Sequence, residues 1–224
     1  MTRLSIIVPV LDEAAGIATA LDALAPLRER GCEVVVVDGG SRDGTVELCR
    51  GRADLVIEAK RGRARQMNAG AAAARGEVLL FLHADTALPP GADELVLSRL
   101  DAGADWGRFD ARITGRSWMF PVISTLMNAR SRWSGISTGD QAMFVRRRVF
   151  DSVSAFPDQP LMEDVELSAR LLRIARPVCL RERVATSGRR WEARGVWRTM
   201  ALMWWLRWRY WRGESASLLS EAYR

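Results

Sequence analysis

The sequence predicts an α/β domain, a doubly wound and mostly parallel Rossmann-like sheet with helices on both faces. Three observations lead there. Apolar runs of strand length recur at 4–10, 33–37 and 79–82, rich in valine and isoleucine. They run without polar alternation, as strands buried on both faces of a parallel sheet do. Between them lie stretches with apolar residues at helical spacing, so strands and helices alternate along the chain.

The elements follow in order. Leu4–Val10, with Ile6, Ile7 and Val8, is the first strand, and Asp12-Glu13 follows it. Ile17, Leu21, Leu24 and Leu27 mark one helix, closed by Gly31. Val34 to Val37 form the second strand, ending in Asp38. The loop Asp38-Gly39-Gly40-Ser41-Arg42-Asp43-Gly44-Thr45 leads to a helix at 46–50. Leu55-Val56-Ile57 is a short third strand. A basic loop from Arg61 enters an alanine-rich helix that ends near Ala74. The fourth strand, Leu79-Leu80-Phe81-Leu82, stops abruptly at His83-Ala84-Asp85. His83 and Asp85 are two residues apart, which puts both on one side if the segment is extended. Beyond it the pattern predicts a helix at 94–100, a strand at 108–113, an apolar helix over 117–133 and a strand at 142–145. It ends with a helix from about 161 and a last strand at 178–180.

Composition bounds the function. The chain has 224 residues and 48% hydrophobic content, enough for a substantial core. Its charge is 33 − 27 = +6. Residues from Arg181 onward hold ten arginines and four glutamates, also +6, so the body is near neutral. A basic tail on a neutral body suits a local anionic partner and argues against nucleic acid. Cys32, Cys49 and Cys179 are widely spaced and odd in number, the pattern of reduced thiols in a cytoplasmic chain. The apolar segment at 5–11 meets acid too soon for a signal peptide.

Two strands end in acids, Asp38 and Asp85, on one edge of the predicted sheet. Ligands of open α/β sheets bind beyond that edge. Asp38 can accept hydrogen bonds from a base or ribose; the glycine loop after it equally fits a tight turn with Asp43 capping the following helix. Asp85 can hold a hard divalent cation through oxygen, or cap the turn after it. The glycine loop has neither the Walker pattern nor Gly-x-Gly-x-x-Gly, which argues against a P-loop enzyme or a dinucleotide oxidoreductase. Arg61, Arg63 and Arg65 precede a helix start, where guanidinium and free amide groups suit phosphate. Each also fits a solvated loop. Glu163-Asp164 opens a helix, where acids are favoured by the dipole alone.

Taken together, 5–13, 37–45, Asn68-Ala69-Gly70, His83-Ala84-Asp85 and Glu163-Asp164 resemble the family 2 glycosyltransferases with the GT-A fold. Arg61 to Asn68, Thr138-Gly139-Asp140-Gln141-Ala142 and Thr186 to Trp191 resemble their small bacterial branch associated with radical-SAM and selenodomain proteins, also labelled arsenosugar-type. The resemblance spans roughly residues 4–195. It implies inverting transfer of a sugar from a nucleotide-diphosphate donor, UDP among the candidates, with Mg²⁺ or Mn²⁺. It implies donor binding by Pro9, Asp12, Glu13, Asp38, Gly39, Arg63, Asn68, His83, Ala84 and Asp85. Asp85 would hold the metal, with His83 as a second candidate ligand in place of the usual first acid of the DxD motif. Asp164, with Glu163 beside it, would supply the catalytic base. Gly139, Asp140, Gln141, Arg190 and Trp191 would form the acceptor and diphosphate loop. Ser187 stands where processive relatives carry glutamine, which counts against polymer synthesis. The expected division is 1–110 for the donor, 111–190 for the acceptor and 191–224 for a helical tail.

Six of the nine tryptophans lie in that tail, interleaved with arginine. The apolar run at 200–206 is far below the ~20 residues a spanning helix needs. The tail suits a helix at an anionic membrane surface, on the inner face of the plasma membrane, and equally a helix covering the sheet or a dimer partner. Lipid contact would favour a lipidic acceptor. The rival readings are a nucleotidyltransferase and a non-catalytic membrane-surface scaffold on a degenerate transferase fold.

Overall fold

The computed structural model describes residues 2–223. The first half runs β1 (Leu4–Val10), α1 (Ile17–Asp22), α2 (Ala25–Glu29), β2 (Glu33–Asp38), α3 (Thr45–Cys49), β3 (Leu55–Glu58), α4 (Arg63–Ala73) and β4 (Val78–Phe81). The second half runs β5 (Thr86–Ala87), α5 (Ala92–Asp101), β6 (Trp106–Thr114), α6 (Phe120–Ser134) and a 3₁₀ turn at Gly139–Gln141. Then come β7 (Phe144–Arg146), α7 (Arg147–Ser152), α8 (Glu163–Leu171), β8 (Val178–Ser187), α9 (Arg189–Arg194), α10 (Val196–Trp211) and α11 (Ala216–Tyr223).

The strands form one sheet in the order β3-β2-β1-β4-β7-β6-β8-β5. The block β3-β2-β1-β4 is parallel throughout. β7 runs antiparallel to both β4 and β6, β6 and β8 are parallel, and β5 closes the far edge antiparallel to β8. Side chains of a strand alternate between faces, and the core divides accordingly. Ile6, Val8, Val10, Val34, Val36 and Leu80 join Ile17, Leu21, Leu24, Val96 and Leu100 on one face. Ile7, Val35, Val37, Leu79 and Phe81 join Met67, Ala71, Phe150, Leu167 and Leu171 on the other. Both faces are covered, so the strands carry no polar alternation.

Helix α4 lies unusually close to the sheet. A Cβ added to Gly70 would stand 2.5 Å from Ile7 Cγ2 and 2.8 Å from Val37 Cγ2. Only hydrogen at that position permits this approach of helix to strand.

The structure corrects several expectations. The helix expected over 17–27 is two helices, because Pro26 belongs in the first turn of α2 and would drive its ring into the Asp22 carbonyl of a continuous helix. His83–Asp85 is a turn, with the Thr86 N–H donating to the His83 carbonyl at 3.0 Å. β8 extends to Ser187, since Thr186 and Ala185 pair with β5. α7 and β5 were not foreseen. The tail is three helices, broken at Gly195 (φ +85°) and Gly213 (φ +88°). All three cysteines are free, and burial pushes the Cys32 and Cys49 thiols up to about 11. No helix among the described residues is long and apolar enough to cross a membrane.

Candidate active site

The sheet order decides which segments meet. The carboxyl ends of β1, β2 and β4 open on one edge, bringing residues 11–13, 38–45 and 83–85 together. β7 runs the other way, so its entry turn, 139–141, arrives at the same edge. The Phe81 N–H donates to the Met143 carbonyl at 2.9 Å as the strands meet. The cleft so formed holds about 520 Å³, within the span of small-molecule sites.

Of the residues the sequence singled out, Pro9, Glu13, Arg63, His83, Ala84, Asp85, Gly139, Asp140, Glu163, Asp164, Arg190 and Trp191 line this cleft. Asp12, Asp38, Gly39, Asn68 and Gln141 do not line it, and each is engaged elsewhere. Asp38 is 2% exposed and turns back on its own loop. It accepts from the Gly40 N–H at 2.8 Å, the Ser41 N–H at 3.0 Å and the Ser41 hydroxyl at 2.5 Å. Asp12 (φ +53°) accepts from the Arg42 N–H at 2.8 Å and so ties the end of β1 to that loop. Gly39 leaves room for the Gln66 amide, which donates to the Val10 and Val37 carbonyls at 2.8 and 2.9 Å. The Asn68 amide is used at both ends by the Phe156 backbone, at 2.8 and 3.0 Å. Gln141 is fully buried and closes a capping box with Thr138.

The acids of the cleft differ in surroundings. Asp164 stands in the first turn of α8 and takes two amide donors, Gly139 N–H at 2.7 Å and Val165 N–H at 2.7 Å. Both carboxylate oxygens are thereby oriented while the residue stays partly open to the cleft. Glu163 is buried, and Arg63 Nη1 reaches its Oε1 at 3.4 Å. Burial first, and then the neighbouring Asp164 charge, push the Glu163 carboxyl above its usual range, with Arg63 opposing. Arg63 therefore serves the acid pair as well as lining the cleft.

His83 packs beneath Gly139, where any Cβ would overlap its imidazole. Its Nδ1 lies 3.5 Å from Asp140 Oδ1, and its buried Nε2 has no partner among the described residues. Burial raises the Asp140 carboxyl, but His83, Arg63 and Arg207 outweigh that and hold it below its usual range. On the donor side, burial and the facing Asp85 charge push the Glu13 carboxyl up. Among the described residues the Asp85 carboxylate takes only a long contact from the Thr86 hydroxyl, at 3.5 Å. Glu13 facing Asp85, with Asp85 almost without donors, suits a hard cation with oxygen ligands. Among the described residues no three His, Cys, Asp or Glu side chains cluster to hold an ion. Asp85 is the cleft carboxylate suited to hold Mg²⁺ or Mn²⁺, with phosphate oxygens and water as further ligands.

Sequence reasoning missed the cleft residues Gln66, Thr186, Thr199, Met203 and Arg207. Thr199, Met203 and Arg207 are four residues apart and line one face of α10, a spacing that was legible. The inner side of α10 packs Leu202, Met203, Leu206 and Tyr210 against Met162 and Val165. The tail thus walls the cleft.

The model of the family "Glycosyl transferase family 2" matches residues 5–153. An undecaprenyl-phosphate 4-deoxy-4-formamido-L-arabinose transferase of Aeromonas hydrophila is 25% identical over 164 residues, which cover 66% of this chain and 50% of that protein. The chain therefore spans about half the length of this curated relative. Residues 1–349 of S. aureus TarS, solved with UDP, superpose with a TM-score of 0.67 at 22% identity, covering 83% of this chain and 60% of that one. The Pyrobaculum calidifontis mannosyltransferase PcManGT, solved with GDP-Man and Mn²⁺, gives 0.63 at 23% identity, covering 82% and 56%. The fold is that of the GT-A transferases.

Proposed function

The chain belongs to glycosyl transferase family 2, and we propose that it is an inverting, metal-dependent glycosyltransferase. Its donor is a nucleotide-diphosphate sugar and its acceptor a hydroxyl or phosphate, a lipid-linked one included. The observation that carries the reading is the convergence on one cleft of Asp85, Arg63 and Asp164, from three segments far apart in sequence. The sequence phrases at 61–68, 138–142 and 186–191 support its placement in the bacterial radical-SAM- and selenodomain-associated branch.

In this reading residues 1–110 bind the donor, 111–190 face the acceptor and 191–224 close the cleft. Asp85 holds Mg²⁺ or Mn²⁺, which when bound neutralises charge on the diphosphate. His83 supports Asp140 and remains a candidate second ligand through Nε2. Arg63 and Arg190 offer guanidinium to the leaving diphosphate. Asp164 takes the proton of the acceptor hydroxyl as its oxygen bonds to the anomeric carbon. The bond to the diphosphate breaks on the opposite face, so configuration inverts. The two amide donors fix Asp164 for that transfer. The exposed tryptophans of α10 support peripheral contact with the inner face of the plasma membrane, and a second copy of the chain is the other candidate for that surface.

The test is thermal-shift screening of the full chain against UDP-, GDP- and dTDP-sugars with and without Mn²⁺, followed by analysis of anomeric configuration in any product. A metal-dependent shift with one donor class is expected. A chain that binds no nucleotide-sugar at all refutes the reading.

A further inference from the structure

The chain turns back on itself after α10. The Gly213 N–H (φ +88°) donates to the Tyr210 carbonyl at 2.9 Å, and the Glu214 N–H donates to the Arg209 carbonyl at 3.1 Å. These two bonds close α10 in a Schellman motif, with glycine in the left-handed position. The Glu214 carboxylate also pairs with the Arg209 guanidinium. α11 then runs antiparallel to α10, because its far end meets Arg194, which precedes α10. There Arg194 Nη1 donates to the Tyr223 carbonyl at 2.8 Å. Leu219 and Tyr223 are one turn apart and share a face. Leu219 is fully buried against Leu206 and Met162, and Tyr223 packs on the same cluster. That packing brings Tyr223 to the wall of the cleft.

At that wall Tyr223 meets Arg190. The Arg190 guanidinium lies 5.2 Å from the Tyr223 ring centroid, and its Nη1 donates to the Tyr223 hydroxyl. Ring face and hydroxyl thus hold one guanidinium at two points. Among the described residues the Arg190 side chain has no other hydrogen-bond partner. It is otherwise an exposed side chain on the short helix α9. An exposed arginine loses much rotamer freedom when a ligand fixes it, and holding it in advance removes that loss from binding. Its position is on the donor side. The preceding Arg189 reaches Glu13 Oε2 at 3.7 Å, and Arg63, the other guanidinium assigned to the diphosphate, lines the same cleft.

We propose that Tyr223 is a positioning residue, which holds Arg190 in the orientation that receives the diphosphate of the donor. The role rests on the transferase reading, since Arg190 serves a diphosphate only if a nucleotide-sugar occupies the cleft.

The experiment is calorimetric titration of the full chain with UDP, GDP and dTDP, each with Mn²⁺, and separately with inorganic pyrophosphate and Mn²⁺. Tyr223→Phe keeps the ring, its packing and its stacking with Arg190, and removes the hydroxyl alone. Its melting temperature should match that of the native chain. Its affinity for the nucleoside diphosphate that binds, and for pyrophosphate, should fall about threefold to tenfold, the worth of one hydrogen bond. In an Arg190→Gln background the same substitution should weaken binding no further, because the group it orients is gone. A tyrosine with a merely structural role would not lose its effect in that background. Unchanged affinity in Tyr223→Phe, or an equal loss with and without Arg190, overturns the proposal and leaves the transferase reading standing. Pyrophosphate binding that Tyr223→Phe weakens, with no nucleoside diphosphate bound, refutes the transferase reading and leaves Tyr223 as the residue that sets Arg190 toward an anion. A native chain that binds neither class of probe ends both.

Discussion

The Gly139 N–H donates to Asp164 Oδ2 at 2.7 Å. This bond joins the turn before β7 to the first turn of α8, and a second donor, the Val165 N–H, fixes the other oxygen. A carboxylate oriented by two amides at a cleft wall is suited to accept a proton from a fixed direction. Asp164→Asn keeps an oxygen acceptor and removes the base. Turnover should fall by ~10²–10⁴-fold, the usual worth of general-base help, with affinity for UDP and Mn²⁺ retained. Steady-state kinetics beside calorimetry checks it, and undiminished turnover would sink the assignment.

Asp85 faces Glu13 with only one long hydroxyl contact. Asp85→Ala removes the principal oxygen ligand proposed for the cation. Nucleotide affinity measured with Mn²⁺ should drop to the level measured without it. If Mn²⁺ still strengthens UDP binding in this variant, the cation is held elsewhere.

The parallel half of the fold was legible because its signal is local. Strands buried on both faces must be apolar throughout, and Val34 to Val37 could hardly be anything else. Asp85 and Asp164, which line the cleft, are singled out in the sequence through motif resemblance. What the sequence concealed was partnership. Asp38 and Asn68 have residue types suited to ligand binding, yet their polar atoms serve the loop at 38–45 and the Phe156 backbone. Arg207 is one of several arginines interleaved with the tail's tryptophans, and nothing local sets it apart. Only the packing of Leu206 and Met203 on Met162 shows that its side is the cleft side. β5 is two residues long and exists through its pairing with Thr186 and Ala185, a contact a hundred residues distant that no local pattern can carry.

The Glu163 carboxyl lies above its ordinary value of 4.5 because burial and Asp164 disfavour its charge. The folded state then binds more protons than the unfolded state as pH rises from 4.5 through the raised value. The contribution of Glu163 is full below 4.5 and lost across that window. Glu163→Gln removes the titration. Its melting temperature relative to the native chain should therefore climb from pH 4 upward and level off once Glu163 has ionised. A difference that does not vary with pH would show that Arg63 fully offsets the burial.

Gly70 separates two opposed effects. Alanine is favoured over glycine within a helix by about 1 kcal/mol. Here the new methyl would stand 2.5 Å from Ile7 Cγ2 and 2.8 Å from Val37 Cγ2, both in the sheet core. Overpacking of that kind costs about 1–3 kcal/mol. Gly70→Ala should lower stability on denaturant unfolding despite its helix propensity, whereas a gain would mean that α4 can lift off β1 and β2.

Trp197, Trp204, Trp208 and Trp211 are spaced by seven, four and three residues, so they form one stripe along α10. All four are exposed, Trp211 at 82%. The opposite side of the helix is occupied, with Leu206 fully buried against Met162 and Leu219. Arg212 stacks over Trp208 at 5.3 Å, and Arg209 over Trp205 at 4.5 Å, so cation and indole are presented together. That combination favours the headgroup region of an anionic bilayer. Replacing Trp204, Trp208 and Trp211 with alanine leaves the buried side of α10 untouched. It should abolish co-sedimentation with vesicles rich in anionic phospholipid while leaving the melting temperature nearly unchanged. Vesicle binding that survives the three substitutions would remove the stripe from consideration, and a change of oligomeric state instead would assign it to a second copy of the chain.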